Sequence, residues 1–172
     1  MRALRLSRRL NLPDWMIASG AIYQGLWNAL ICKPPDFGLK DYDLFYFDAG
    51  DLSWEAEDAA IRRAHAVLPS DLRERIEIRN QARVHLWFEQ KFGEPYPPLS
   101  FSAQALEHFV APAFALGARL EKDGRIQLFA PFGLEDAFAM ILRPNPRRPL
   151  SSAFRRVSEA VRARWPEVRV VT

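Results

Sequence analysis

"KDYDLFYFD", residues 40–48, encloses an aromatic run between aspartates, and its reading decides the fold. Tyr42 to Phe47 reads as a buried strand, since aromatic side chains suit a pleated, half-buried surface. Residues i and i+2 of a strand point to one face, so Asp41 and Asp43 stand side by side at its entrance and repel. Asp48 has the other parity and reads as a strand-terminating loop residue. A compensating cation is one reason to keep such a pair. The plainer alternative is that an Asp-x-Asp at a strand's start is solvated or caps nearby backbone.

Working outward, "WMIA" before this stretch is a short strand. Ser19-Gly20 makes a turn, and from about Ala21 the residues Ile22, Leu26, Ala29 and Leu30 follow helical spacing. After it, "SWEAEDAAIRRAHAVL" is a helix with Ser53 at its N-cap, acids in its first turns, Arg62 and Arg63 later, and Pro69 as its stop. "RIEIRN" opens as a strand, with Ile76 and Ile78 on one face and Glu77 on the other. The portion Ala82 to Lys91 fits strand or helix equally. "SAQALEHFV" predicts a short helix started by Ser102, and Asp123-Gly124 predicts a hairpin within "LGARLEKDGRIQLFAPF". "LEDAFAMIL" and "SSAFRRVSEAVRARW" predict two last helices, the second capped by Ser151 or Ser152. The whole is mixed α/β.

The chain's 172 residues, 49% hydrophobic and 26% charged, suit one soluble domain with its own core. Cys32 is alone, which excludes an intramolecular disulfide, and His65, His85 and His108 do not share a zinc-ligand spacing with it. The apolar run "FVAPAFALGARL" is interrupted by Pro112 and Arg119, and the Arg-rich start lacks the apolar core of a signal peptide, so the cytoplasm is the expected compartment, with no membrane partner. The net charge of +3 is uneven: residues 141–172 carry eight arginines against Glu159 and Glu167. Such a tail attracts RNA or phosphates, or is simply a solvated helix face. Residues 1–146 are expected to form the main domain, and 147–172 a basic C-terminal helix packed on it, beyond the Pro-rich joint "RPNPRRPL".

Magnesium takes hard oxygen ligands, few of them carboxylates, and leaves positions to water and phosphate oxygens. Asp41 and Asp43, with a third carboxylate from a neighbouring strand, suit two such ions, which can activate an attacking hydroxyl and stabilise a leaving pyrophosphate. The order of elements adds to this. A glycine turn opens a helix, an acid-x-acid strand follows, and Ile76-Glu77-Ile78 later supplies an apolar-acid-apolar triplet. That order resembles the polymerase-beta-like nucleotidyltransferase superfamily. The resemblance is closer to its branch of small bacterial nucleotidyltransferase family proteins, through "SGAIYQGLWN", "KDYDLFYFD", "RNQARVHLWFEQKFG" and "FAPFGLEDAFAMILRPNP", which together span residues 15–146.

The resemblance implies an α/β (α+β) fold, a small mixed sheet flanked by helices, with an added hairpin and C-terminal helices. It implies Asp41 and Asp43 as paired metal ligands, Glu77 as the third carboxylate, and Ser19, Gly20 and Ala21 as the phosphate turn. Gly20 is followed by Ala21 where the superfamily commonly has serine, although backbone N–H groups at the helix start remain available to an anion. Val110, Ala111, Pro112 and Ala113 stand where relatives usually carry threonines. The implied cofactor is Mg2+, two ions, with Mn2+ as a substitute, and the implied partner is a nucleoside triphosphate such as ATP.

Arg79, Asn80, Gln81 and Arg83 follow the third carboxylate directly. Arginine forks bind phosphates and amides read base or sugar edges, so these residues are expected on the nucleotide, unless Arg83 and His85 pair with buried groups instead. Lys40 sits by the phosphates or offsets the aspartates. Trp27, Trp54, Trp87, Phe88, Phe129, Phe132 and Phe138 are expected in the core, and Asp136 as a cap or an arginine's partner. The leading expectation is a magnesium-dependent nucleotidyltransferase that moves a nucleoside monophosphate onto a hydroxyl of an unidentified acceptor. The second is a non-catalytic nucleotide- or RNA-binding module on the same fold.

Overall fold

Leu4 and Ser7 form the inward face of an N-terminal helix, α1 (Arg2–Arg9), whose arginines point outward. Then come β1 (Met16–Ala18), α2 (Gly20–Leu30), β2 (Tyr42–Tyr46), α3 (Trp54–Val67), the single turn α4 (Ser70–Arg73) and β3 (Ile76–Asn80). The second half holds a short α5 (Phe88–Phe92), the hairpin β4 (Gly117–Leu120) and β5 (Ile126–Phe129), the single turn α6 (Glu135–Phe138), β6 (Ile141–Leu142), α7 (Ser152–Arg164) and β7 (Arg169–Val170). The structure is a computed structural model, and it describes residues 1–148 and 152–172. The expected cap falls on Ser151, outside the described residues, or on the side chain of Ser152, which is likewise not described.

Five strands make one mixed sheet in the order β3-β2-β1-β4-β5. β2 and β3 are parallel, which requires a crossover connection, and α3 with the turn α4 supplies it. Its start is fixed by Ser53, whose Oγ accepts from Ala56 N–H at 3.2 Å. β1 is antiparallel to both β2 and β4. On one face Ile17, Leu44, Tyr46, Ile76, Ile78 and Ala118 pack against Leu4 of α1 and Ala60 and Ala64 of α3. The other face carries the acids and is only partly covered, by Leu106 and Ala115 over Met16 and Ala18.

A second core clamps α2 to the C-terminal segment. Trp27 and Trp165 meet edge-on with ring centroids 5.7 Å apart. Trp165 Nε1–H donates to Asn28 Oδ1 at 2.9 Å, and Trp27 Nε1–H to the Ala137 carbonyl at 2.8 Å. Buried indole N–H groups need such partners, so both rings are locked in orientation as well as in depth.

One expectation changes and two stretches are specified further. "LEDAFAMIL" is one helical turn and then a strand: Met140 takes a left-handed φ of 52°, and Ile141–Leu142 pairs in parallel with Arg169–Val170. Ala82 to Lys91 divides into a 3-10 segment, Gln81–Leu86, and α5, which Gly93 ends at φ 71°. "SAQALEHFV" is the expected short helix from Ser102, in 3-10 form. Of the aromatics expected inside, Trp54 and Phe138 are exposed, at 63% and 54%. Asp136 pairs with Arg143 Nε at 2.8 Å. No described helix is long and apolar enough to cross a membrane.

Trp165→Ala empties the second core and orphans Asn28 Oδ1. A loss of about 3–5 kcal/mol in urea unfolding is expected; a loss below about 1 kcal/mol would show that α7 is only loosely attached.

Candidate functional site

Strand register assembles the site. Asp43 lies opposite Glu77 on β3 and opposite Ala18 on β1, and Ala18 lies opposite Gly117 on β4. Asp41 precedes the strand with the same parity. Two residues further along, Phe45 lies opposite Arg79 and Met16. Because side chains alternate, Glu77 and Arg79 project from the exposed face of β3 while Ile76, Ile78 and Asn80 are buried on the other. Asp41, Asp43, Glu77 and Arg79 are thereby brought to one face.

Ionising Asp43 is costly in this setting. Burial pushes the Asp43 carboxyl up from its ordinary 3.8 to about 6, Asp41 and Glu77 add to the rise, and Arg79 opposes it. Among the described residues, no three His, Cys, Asp or Glu side chains converge closely enough to hold a metal ion. Asp41, Asp43 and Glu77 therefore share a face without forming a closed three-ligand cluster. Their hard oxygens nonetheless suit magnesium, which needs only one or two carboxylates when phosphate and water complete its shell.

Ser19 connects β1 to α2 at φ 49° and ψ −109°, a conformation that costs a non-glycine residue roughly 1–3 kcal/mol. Ser19 N–H donates to the Leu116 carbonyl at 2.7 Å, and the Ser19 carbonyl accepts from Ile22 and Tyr23. The Ser19 side chain makes no cap hydrogen bond. The N–H groups of Gly20 and Ala21 donate to no group among the described residues. An α2 of 11 residues thus presents two free donors and the positive end of its dipole immediately beyond Ala18, the strand neighbour of Asp43.

Two residues expected on the nucleotide lie elsewhere. Asn80 is buried: its Oδ1 accepts from Asp48 N–H (3.0 Å) and Ala82 N–H (3.1 Å), and its Nδ2 donates to the Asp48 carbonyl (2.8 Å). Arg83 is buried in an ion pair with Glu57, and its Nε–H donates to the Leu52 carbonyl at 2.8 Å. Glu57 Oε1 also accepts from Asn80 N–H at 2.7 Å. Strand parity puts Asn80 with Ile76 and Ile78, so this much was available from spacing; the Glu57 partner, from another helix, was not. Lys40 is exposed beside Asp41, and the carbonyls of Leu39 and Lys40 accept from Arg75 (2.6 and 3.0 Å). Lys40 thus stays near the acids.

Arg79 and Gln81 instead line a cavity of about 270 Å3 whose walls include Phe45, Trp87, Phe88, Tyr96, His108 and Phe109. Trp87 and Phe88, expected in the core, belong to this wall. Phe45 and Phe109 stack with centroids 6.3 Å apart, and Tyr96 packs between Phe88 and His108 at 4.6 Å from each. Burial raises the Tyr96 phenol and lowers His108, so both are neutral near pH 7. Phe45 is readable from sequence, two residues past Asp43. Tyr96, His108 and Phe109 come from distant segments and carry no local signal.

A five-strand mixed sheet flanked by helices, in this order, is the nucleotidyltransferase fold. The family model described as nucleotidyltransferase matches residues 5–170, and the chain belongs to that family. A solved structure described as "The NMR structure of the protein reveals a CCA-adding enzyme head domain" superimposes with a TM-score of 0.78 and 23% identity. It covers 100% of this chain and 88% of that one. This likeness shows the fold. No curated protein matches the chain.

Two outcomes follow. The folded protein holds the Asp43 proton at pH values, about 4 to 6, where the unfolded chain has released it, so stability falls as pH rises through that window. Asp43→Asn is therefore expected to melt above wild type at pH 7.5 without divalent ions, by on the order of 2 kcal/mol, with the gap closing by pH 4. An unchanged gap across that range would contradict a carboxyl raised by burial and by its acidic neighbours. Glu57→Ala leaves Arg83 buried and unpaired and is expected to cost about 3–5 kcal/mol in urea unfolding, with Arg83→Met in the same chain recovering part of it.

Proposed function

We propose that the protein transfers a nucleoside monophosphate from a nucleoside triphosphate to a hydroxyl, using Mg2+ held by Asp41, Asp43 and Glu77. The observation that carries this reading is the register: Asp43 faces Glu77 across parallel strands and Ala18, at the foot of α2, across antiparallel ones. Bound magnesium supplies Lewis-acid charge that makes the hydroxyl more acidic and stabilises the departing pyrophosphate.

The chain's own residues do the rest. Gly20 and Ala21 N–H groups, with the α2 dipole, hold the triphosphate tail; Ser19 shapes that turn. Lys40 and Arg79 flank the acids and offset phosphate charge. The acceptor oxygen forms a bond to the α-phosphorus, the bond from that phosphorus to the β-phosphate oxygen breaks, and pyrophosphate leaves with the electron pair. Glu77 accepts the hydroxyl proton. Positioning and charge neutralisation supply most of the acceleration. Gln81 reaches the acceptor side, while Asn80 and Arg83 support the strand end behind it.

The second reading, a nucleotide- or RNA-binding module without transfer, draws on Ala21 in place of a hydroxyl residue, on the open arrangement of the acids and on the basic C-terminus. The two separate by assay. Asp43→Asn and Glu77→Gln are each expected to lower magnesium-dependent pyrophosphate release by roughly 100-fold or more, with melting transitions retained. Equal triphosphate affinity with and without Mg2+, unaffected by either substitution, would favour the binding module.

A further inference from the structure

The aromatic cavity lies on the opposite side of the acids from the phosphate turn. β1 and β2 are antiparallel, with Ala18 opposite Asp43 and Met16 opposite Phe45, so Ser19 and Gly20 lie toward the Asp41 end of β2. Phe45 and Arg79, which line the cavity, lie toward the other end, about 7 Å along the strands from Asp43 and Glu77. In-line transfer needs the same layout: the leaving pyrophosphate and the attacking oxygen occupy opposite sides of the phosphorus.

The lining says what would carry that oxygen. The exposed lining is mainly apolar surface and half of the lining residues carry aromatic rings, with Arg79, Gln81, His108 and Arg148 as the polar exceptions. Arg148, a second arginine at the cavity, is already engaged by Glu94 and by the His108 carbonyl. The Arg79 side chain makes no ion pair or hydrogen bond among the described residues, and the residue stands between cavity and acids. A sugar would leave hydroxyls unpaired against ring faces, at a cost of about 1–3 kcal/mol each. A cavity of about 150 Å3 holds one benzene ring, so about 270 Å3 accommodates a body of two fused rings.

Resting on the transfer reading above, we propose that this cavity is the acceptor site and that the acceptor is a small alcohol or phenol borne on an aryl body. Its rings lie against Phe45, Trp87 and Tyr96, and its hydroxyl emerges past Arg79 toward Glu77. There the oxygen bonds to the α-phosphorus, pyrophosphate departs and Glu77 receives the proton.

The test uses naphthylmethanol as probe, with ATP carrying a label on its α-phosphate and Mg2+. NMR titration of the wild type is expected to show saturable shifts at Phe45, Trp87 and Tyr96, and the label is expected to pass to the probe in preference to glucose. Ala105→Phe and Val110→Phe each fill the cavity; melting curves verify that they fold, and at least a tenfold loss of probe affinity and of transfer to it is expected in the folded variant or variants. Should neither fold, mapping the wild-type shifts decides. Shifts elsewhere, unchanged affinity in a folded filling variant, binding without label transfer, or preference for glucose would each overturn the acceptor assignment. Failure of the transfer reading itself looks different: no magnesium-dependent ATP binding by the wild type and no pyrophosphate release with any acceptor.

Discussion

Parallel pairing of β2 with β3 sets Asp43 against Glu77, with Asp41 close by, and the rest of the molecule is arranged to hold that unfavourable contact in place. Like charges on neighbouring strands destabilise a sheet, and at Asp43 they add to burial, the larger cause, in pushing the carboxyl up to about 6. The opposite face offsets it, with Leu44, Ile76 and Ile78 buried against α1 and α3. The acids are thus tolerated because each strand's other parity is committed to the core.

Two locks keep the parts in register. At the C-terminal end of β3, Asn80 binds the backbone at Asp48 while Glu57 joins Asn80 N–H to Arg83, tying both strand ends to the start of α3. At the other side, Trp27 and Trp165 fix α2 against the C-terminal segment. α2 is the helix whose N-terminal donors lie next to the acids. Packing far from the chemistry therefore decides where a phosphate could sit, a distance dependence to which positioning catalysis is sensitive.

Much of the site was legible because strand parity is a strict rule. It placed Asp41, Asp43 and Glu77 on exposed faces, and it also consigns Asn80 to the buried face with Ile76 and Ile78. Composition misleads where tertiary partners decide. Arg83 reads as a phosphate ligand until Glu57 appears beside it, and Trp54 reads as core although its position on α3 leaves it in solvent. "LEDAFAMIL" has helical spacing, but pairing with Arg169–Val170 diverts its second half into a strand. The N-terminal helix is strongly amphipathic, with Ala3, Leu4, Leu6 and Leu10 toward the core and arginines outward, a pattern that its Arg-rich composition masks. The cavity walls come from segments on either side of Pro95, Pro97 and Pro98, which no local pattern relates.

The central claim is that one metal-assisted site joins the α2 N-terminus to the acids of β2 and β3. The most direct measurement is a crystal structure of the protein with a non-hydrolysable triphosphate and Mg2+. The account predicts phosphate oxygens on the N–H groups of Gly20 and Ala21, with metal density shared between those oxygens and Asp41, Asp43 and Glu77. Triphosphate bound away from α2, or bound there with no metal on Asp43, would contradict it.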